Sequence, residues 1–218
     1  MAEHKPSRRI SSAGRALVTL VLGGARSGKS RFAEALVEGA ATGGTYCATG
    51  EAKDDEMAAR IAAHRTRRDS GGRGAFWRTI EAPLAVAQAI SAEANPARPL
   101  LIDCLTLWLS NLMMAEAPIE EEFATLRRAL RDAAGPVVLV ANEVGLGLVP
   151  ETPLGRRFRD EAGRLNQEIA AFADRVVFVA AGLPLVLKDS PHPSLPRKRG
   201  RVLETPSPAC GGGQGWGL

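Results

Sequence analysis

Leu17 to Glu38 reads LVTLVLGGARSGKSRFAEALVE, with Gly23-x-x-x-x-Gly28-Lys29-Ser30 at its centre. A hydrophobic run, a glycine-rich turn and a helix-forming run in that order predict a β-strand that hands the chain through a phosphate-binding loop into a helix. In such a loop the backbone from Gly23 through Gly24, Ala25, Arg26, Ser27 and Gly28 turns its N–H groups toward an oligophosphate. The positive end of the helix adds to them, Lys29 reaches the terminal phosphates and the Ser30 hydroxyl can ligate Mg²⁺. Positions 23 and 28 need glycine because a Cβ would restrict φ and block close approach of the ligand. The competing reading is an ordinary glycine-rich strand-to-helix turn, which the same eight residues also permit.

Outward from that stretch, runs of β character alternate with helical segments, the pattern of βα units on a parallel sheet. Strands are expected near Leu17–Leu22, Thr45–Thr49, Phe76–Ile80, Leu100–Asp103, Val137–Asn142 and Arg175–Ala180. Helices are expected from the loop to about Gly39, then over Asp55–Arg68, Pro83–Ala94, Leu105–Met114, Ile119–Ala133 and Leu154–Ala173. The fold class is therefore α/β, a three-layer sandwich with a mostly parallel central sheet. One domain over residues 17–188 is expected, with residues 1–16 as an N-terminal extension and 189–218 as a proline- and glycine-rich disordered tail.

The 218 residues are 45% apolar and 24% charged, ordinary values for one globular core. A formal charge of +4 and a pI near 9.3 hint at a nucleic-acid partner until the charge is divided along the chain. The two ends carry eight basic and three acidic side chains, which leaves twenty basic and twenty-one acidic ones between them. The folded part is thus not basic, which weakens a reading as a nucleic-acid-binding ATPase. Three cysteines without metal-type spacing suit reduced thiols of a cytoplasmic protein, with Cys47 and Cys104 in the core. No stretch reaches the roughly 18–20 apolar residues of a membrane span.

Leu100-Leu101-Ile102-Asp103 is a buried strand ending in a carboxylate, at the sheet edge where open α/β folds collect ligands. Asp103 there would complete a Mg²⁺ site with Ser30; alternatively it caps the helix that starts near Leu105. His64 is the one histidine between the two tails, and Met57, Ile61 and His64 share a helical face. On such a face a histidine is often a packed boundary residue. Arg65, Arg67 and Arg68 follow it, however, and cations in that number favour a phosphate chain. A neutral imidazole can also attack phosphorus and form a labile P–N bond. Glu143, in the glycine-containing segment Asn142 to Glu151, is a candidate for a substrate hydroxyl or cation, with a plain connection as the other reading. Arg156 or Arg157 could meet a phosphate at the start of the last helix, whose charges otherwise read as a solvent face.

GGARSGKSRFAE, DDEMAARIAAHR, WRTIEAP, DCLTLWLSNL and NEVGLGLVPETPLGRRFRDEAGRLNQ stand in this chain in that order. Together they resemble the bifunctional adenosylcobinamide kinase and adenosylcobinamide-phosphate guanylyltransferase family of cobalamin biosynthesis, over about Leu20 to Lys188. The resemblance implies a phosphate-loop NTPase-type fold and two reactions. ATP or GTP phosphorylates the hydroxyl of adenosylcobinamide; GMP from GTP then joins that phosphate through a guanylylated histidine, which corresponds to His64. It further implies nucleotide contacts at Gly23 to Ser30, at Thr49, Gly50 and Glu51, at Arg65, Thr66, Arg67 and Arg68, and at Glu81 and Asp103. Glu81, at the end of a strand, could accept the N1–H and N2–H₂ of guanine, which adenine does not offer. Family members assemble as oligomers, and a homotrimer is expected. A kinase acting on another small hydroxyl compound remains the alternative.

Overall fold

The computed structural model describes residues 16–51, 55, 59, 62, 66 and 75–189. Among the described residues seven strands make one sheet: β1 (Val18–Gly23), β2 (Gly44–Ala48), β3 (Trp77–Glu81), β4 (Leu100–Asp103), β5 (Val137–Asn142), β6 (Arg175–Ala180) and β7 (Leu183–Asp189). The helices with described boundaries are α1 (Lys29–Glu38), α2 (Val86–Glu93), α3 (Leu105–Met114), α4 (Ile119–Asp132) and α5 (Pro153–Phe172). Asp55, Ala59, Ala62 and Thr66 are also helical and exposed. Their spacing of four, three and four residues puts these four on one helical stripe.

The strand order is β3-β2-β4-β5-β1-β6-β7, parallel throughout except that β7 runs antiparallel to β6. Strands buried on both faces read as continuous apolar runs, which is why β1, β4 and β5 were legible as such. On one face Val18, Leu20, Leu22, Leu100, Ile102, Val137 and Leu139 pack against the apolar sides of α2, α3, α4 and α5. On the other, Val21, Leu101, Val138 and Val140 meet Ala33 and Val37 of α1. The sheet therefore carries helices on both sides, as a three-layer sandwich does.

Two expectations are corrected. β7 was not foreseen: Leu183-Pro184-Leu185-Val186-Leu187 lacks alternation, and proline is tolerated there only because this is an edge strand. The two-residue turn that returns the chain, Ala181 (φ 51°) and Gly182 (φ 78°), has the double left-handed geometry of a tight hairpin. Asp189 thus closes a strand, and Ala16 packs against the core at the other end. The second correction concerns α2, expected from Pro83 but observed from Val86. The Pro83 and Leu84 carbonyls are taken by the Asn111 carboxamide (3.0 Å) and the Trp108 indole N–H (2.9 Å), and helical bonding starts with Ala89 N–H on Ala85 O.

Cys47 and Cys104 are free and buried, as core residues should be. Burial pushes the Cys47 thiol up to about 12 and that of Cys104 to about 11, with Glu93 and Asp103 respectively adding to the effect. The folded state therefore holds these protons better than the unfolded chain, whose thiols titrate near 9.0. This contribution to stability is complete below that value and is lost as the pH rises toward the folded values. Both thiols should resist iodoacetamide at pH 8 in the native protein and react in denaturant, as read by peptide mass, and the urea midpoint should fall above pH 9.

Candidate nucleotide site

β1 ends at Gly23 and α1 begins at Lys29, so the loop between them sits at the carboxyl edge of the sheet. Arg26 (φ 56°) and Gly28 (φ 93°) are both left-handed, the alternation that lets successive N–H groups face one concavity. Ser27 N–H donates to Gly24 O (3.3 Å) and Phe32 N–H to Gly28 O (2.9 Å). The hairpin between β6 and β7 braces the loop from beneath, Gly182 N–H donating to Ser27 O at 2.8 Å. Lys29 is buried and its Nζ donates to Gly24 O at 3.1 Å, so the ammonium lies over the loop it would share with phosphates.

Gly23 has no room for a side chain. A Cβ there would lie 2.5 Å from both Ser27 Oγ and Val179 O, and the second is sheet backbone that cannot give way. Gly23→Ala is therefore expected to push the loop off its strand, costing about 1–3 kcal/mol of stability. Nucleotide affinity should fall by about ten-fold or more, since the amides no longer converge. Urea unfolding and titration with a fluorescent nucleotide measure the two effects.

One strand beyond β5 from the loop stands Asp103, the last residue of β4. Alternation puts its side chain on the α1 face with Leu101, and Tyr46 of β2 donates its hydroxyl to Asp103 Oδ2 at 2.9 Å. The N-cap of α3 is Cys104 and it carries no side-chain cap bond, so Asp103 faces the loop side and not the helix it precedes. Tyr46 fixes this carboxylate, a role invisible without knowing that β2 and β4 are neighbours. Among the described residues no three acidic, histidine or cysteine side chains cluster as a metal cage. One carboxylate and one hydroxyl, with phosphates and water completing the shell, is the donor set Mg²⁺ takes in nucleotide sites, so Ser30 and Asp103 fit it.

Thr49, expected to touch nucleotide, is wholly buried. Its Oγ donates to Cys104 O (2.7 Å) and accepts from Cys104 N–H (2.8 Å), while Asn111 Nδ2 holds its carbonyl at 2.8 Å. It locks β2 to the start of α3 and so positions Gly50 and the exposed Glu51 at the edge. Glu81 is exposed at the end of β3, in register with Ala48. Glu143 follows β5; its N–H donates to Gly23 O (3.1 Å), and its Oε1 accepts from Gly145 N–H (2.7 Å). Arg156 clamps the loop before α5 through the carbonyls of Pro150 (3.1 Å) and Glu151 (2.7 Å). Thr66 is exposed on its helix, while His64, Arg65, Arg67 and Arg68 lie outside the described residues.

A strand, an amide-lined loop and a lysine-bearing helix, with a carboxylate on the strand two places away in the sheet, define a phosphate-loop nucleotide-binding protein. Residues 19–187 match the family described as cobinamide kinase / cobinamide phosphate guanyltransferase, and the chain belongs to it. It is 49% identical over 174 residues to the bifunctional adenosylcobalamin biosynthesis protein CobP of Pseudomonas aeruginosa, covering 79% of this chain and 98% of that one. It is 43% identical over 187 residues to the bifunctional adenosylcobalamin biosynthesis protein CobU of Salmonella typhimurium, covering 79% and 100%. Among solved structures, an ATPase of a bacterial type III secretion system superposes with a TM-score of 0.50 at 11% identity, over 78% of this chain and 56% of that one. That likeness concerns the fold alone.

Proposed function

We infer that the chain carries both activities of its family. It phosphorylates the hydroxyl of adenosylcobinamide with ATP or GTP, then transfers GMP from GTP to adenosylcobinamide phosphate, giving adenosylcobinamide-GDP and pyrophosphate. The observation that carries this reading is the family match over 19–187, which spans the phosphate loop, Asp103 and Glu143 without interruption.

In the first reaction the work is positioning and charge neutralisation. The amides from Gly23 to Gly28 cradle the phosphates, and Lys29 exchanges Gly24 O for a terminal phosphate oxygen. Ser30 and Asp103 would hold Mg²⁺, which when bound would offset the charge of the phosphates. Gly50 and Glu51, with Glu81 at the next strand end, border the base, and Glu81 reads guanine. In the second reaction a ring nitrogen of His64 attacks the α-phosphorus of GTP and expels pyrophosphate. The phosphate of the acceptor then attacks the same phosphorus and breaks the P–N bond. Arg65, Thr66, Arg67 and Arg68 border the phosphate chain in that pose.

The reading is tested by incubating the protein with GTP labelled on the α-phosphate and then treating it with acid or alkali. Label that is lost in acid and kept in alkali identifies phosphorus on nitrogen; an unlabelled protein removes the covalent step. A cytoplasmic location accords with ATP and GTP as co-substrates. No described helix is long and apolar enough to cross a membrane. A homotrimer accords with the edge strand β7, whose Leu183, Leu185 and Leu187 are exposed. Light scattering behind a sizing column measures the assembly, and a monomer at micromolar concentration overturns it.

A further inference from the structure

Asn142 ends β5, the strand that lies between the phosphate-loop strand β1 and the Asp103 strand β4. Its Cα is in register with Gly23, and Asp103 is in register with Val140, two residues earlier on the same strand. Val137, Leu139 and Ala141 point into the larger core and Val138 and Val140 into the smaller one. By alternation the Asn142 side chain belongs to the α1 face, with Asp103, the loop and Lys29. It stands between the phosphate cradle and the carboxylate.

The backbone of this residue is clamped. Thr106 Oγ accepts from Asn142 N–H at 2.7 Å, and Asn166 Nδ2 donates to Asn142 O at 3.1 Å. Both partners are buried polar residues from separate helices, α3 and α5. The next peptide is tied to Gly23 O by Glu143 N–H. Yet Asn142 Oδ1, a buried acceptor, has no hydrogen-bond partner among the described residues, and neither has Ser27 Oγ, which lies against the α1 side of Gly23. A fold that spends two buried side chains fixing one residue and then leaves its own oxygen unsatisfied is holding that oxygen for something else. An acceptor beside a phosphate site is not aimed at phosphate oxygens, which would repel it. It is matched to a donor, and the donor the first reaction brings is the hydroxyl of the acceptor.

We propose that the Asn142 carboxamide orients the acceptor hydroxyl in the kinase step, Oδ1 taking its hydrogen bond so that an oxygen lone pair faces the γ-phosphorus. The proposal rests on the reading that this chain phosphorylates a hydroxyl. The O–P bond forms as the bridging P–O bond to the β-phosphate breaks, and that bond's electrons leave with the nucleoside diphosphate. A carboxamide is not basic enough to keep the proton, which passes to water once the new bond has formed. The guanylyl step uses a phosphate as acceptor and has no such hydroxyl, so it does not need Asn142.

The test uses the full chain in two separate assays, ATP with adenosylcobinamide, and GTP with preformed adenosylcobinamide phosphate. Asn142→Ala should lower kcat of the first by about 100-fold, with the KM for ATP and the second reaction changed by less than about threefold. Asn142→Asp keeps an acceptor oxygen at the same place and should recover about ten-fold of that loss, whereas a residue that donated to phosphate would be made worse by a carboxylate. Equal loss of both reactions in Asn142→Ala, or an Asn142→Asp no better than Asn142→Ala, overturns the proposal. If the unaltered protein fails to phosphorylate adenosylcobinamide at all, the functional reading fails instead, a different and separable result.

Discussion

Replacing Lys29 by alanine is expected to reduce kcat/KM for phosphorylation of adenosylcobinamide by about 10²–10³-fold or more, with guanylyl transfer falling in parallel. The ammonium is buried at the N-terminus of α1, and its bond to Gly24 O places it directly above the loop amides. Phosphoryl transfer spreads negative charge over the moving group, and a cation fixed in a site with little water stabilises that charge without reorganising. The loop itself should persist, because its shape is held by main-chain bonds among Gly24, Ser27, Gly28, Phe32 and Gly182 that do not involve the lysine. Loss of activity without loss of fold is the expected combination, read as initial rates beside a thermal melt. Arginine should not substitute, since its planar fork cannot occupy the space of a compact ammonium. A Lys29→Ala protein that kept a tenth of the normal kcat/KM would show that the phosphates lie elsewhere.

What could be read from the amino acids follows from how local each signal is. The β1, loop and α1 succession is decided by twenty-two contiguous residues, and β4, β5 and β6 emerged with the same boundaries in sequence and structure because buried parallel strands are unbroken apolar runs. β7 escaped because an edge strand answers to one neighbour only, and its side chains Leu183, Leu185 and Leu187 carry no inward and outward alternation. The start of α2 escaped because it is set by Trp108 and Asn111, more than twenty residues away, which claim the carbonyls a helix there would have used. The site divides in the same manner. That Gly23, Asp103 and Asn142 each end a strand is visible in the sequence, whereas their lateral adjacency depends on the order β4-β5-β1, which no periodicity reports. Hence Asp103 was identified as a ligand-edge carboxylate, but Tyr46 as its support and Asn142 as its neighbour were not.

His64→Ala should divide the two reactions. Guanylyl transfer to adenosylcobinamide phosphate should fall by about 10³-fold or more, to the level of an enzyme lacking its nucleophile, while phosphorylation stays within about threefold of normal. The asymmetry is chemical. In the proposed mechanism, transfer of the γ-phosphoryl group uses the loop, Lys29 and Asp103, all on the described edge of the sheet, and none of them is altered. Transfer of GMP through a P–N bond needs a nitrogen with a free lone pair, and of the three histidines in the chain only His64 falls within the family match over 19–187. His64→Asn, which retains a polar side chain of similar reach without a nucleophilic nitrogen, should behave like the alanine variant. Added imidazole should restore part of the guanylyl transfer to His64→Ala and none to Lys29→Ala, because only the first has lost a nucleophile with its phosphate site intact. Guanylyl transfer that survived in both histidine variants would mean that adenosylcobinamide phosphate attacks GTP directly. The same result would reduce Arg65, Arg67 and Arg68 to electrostatic partners of the triphosphate in a single displacement.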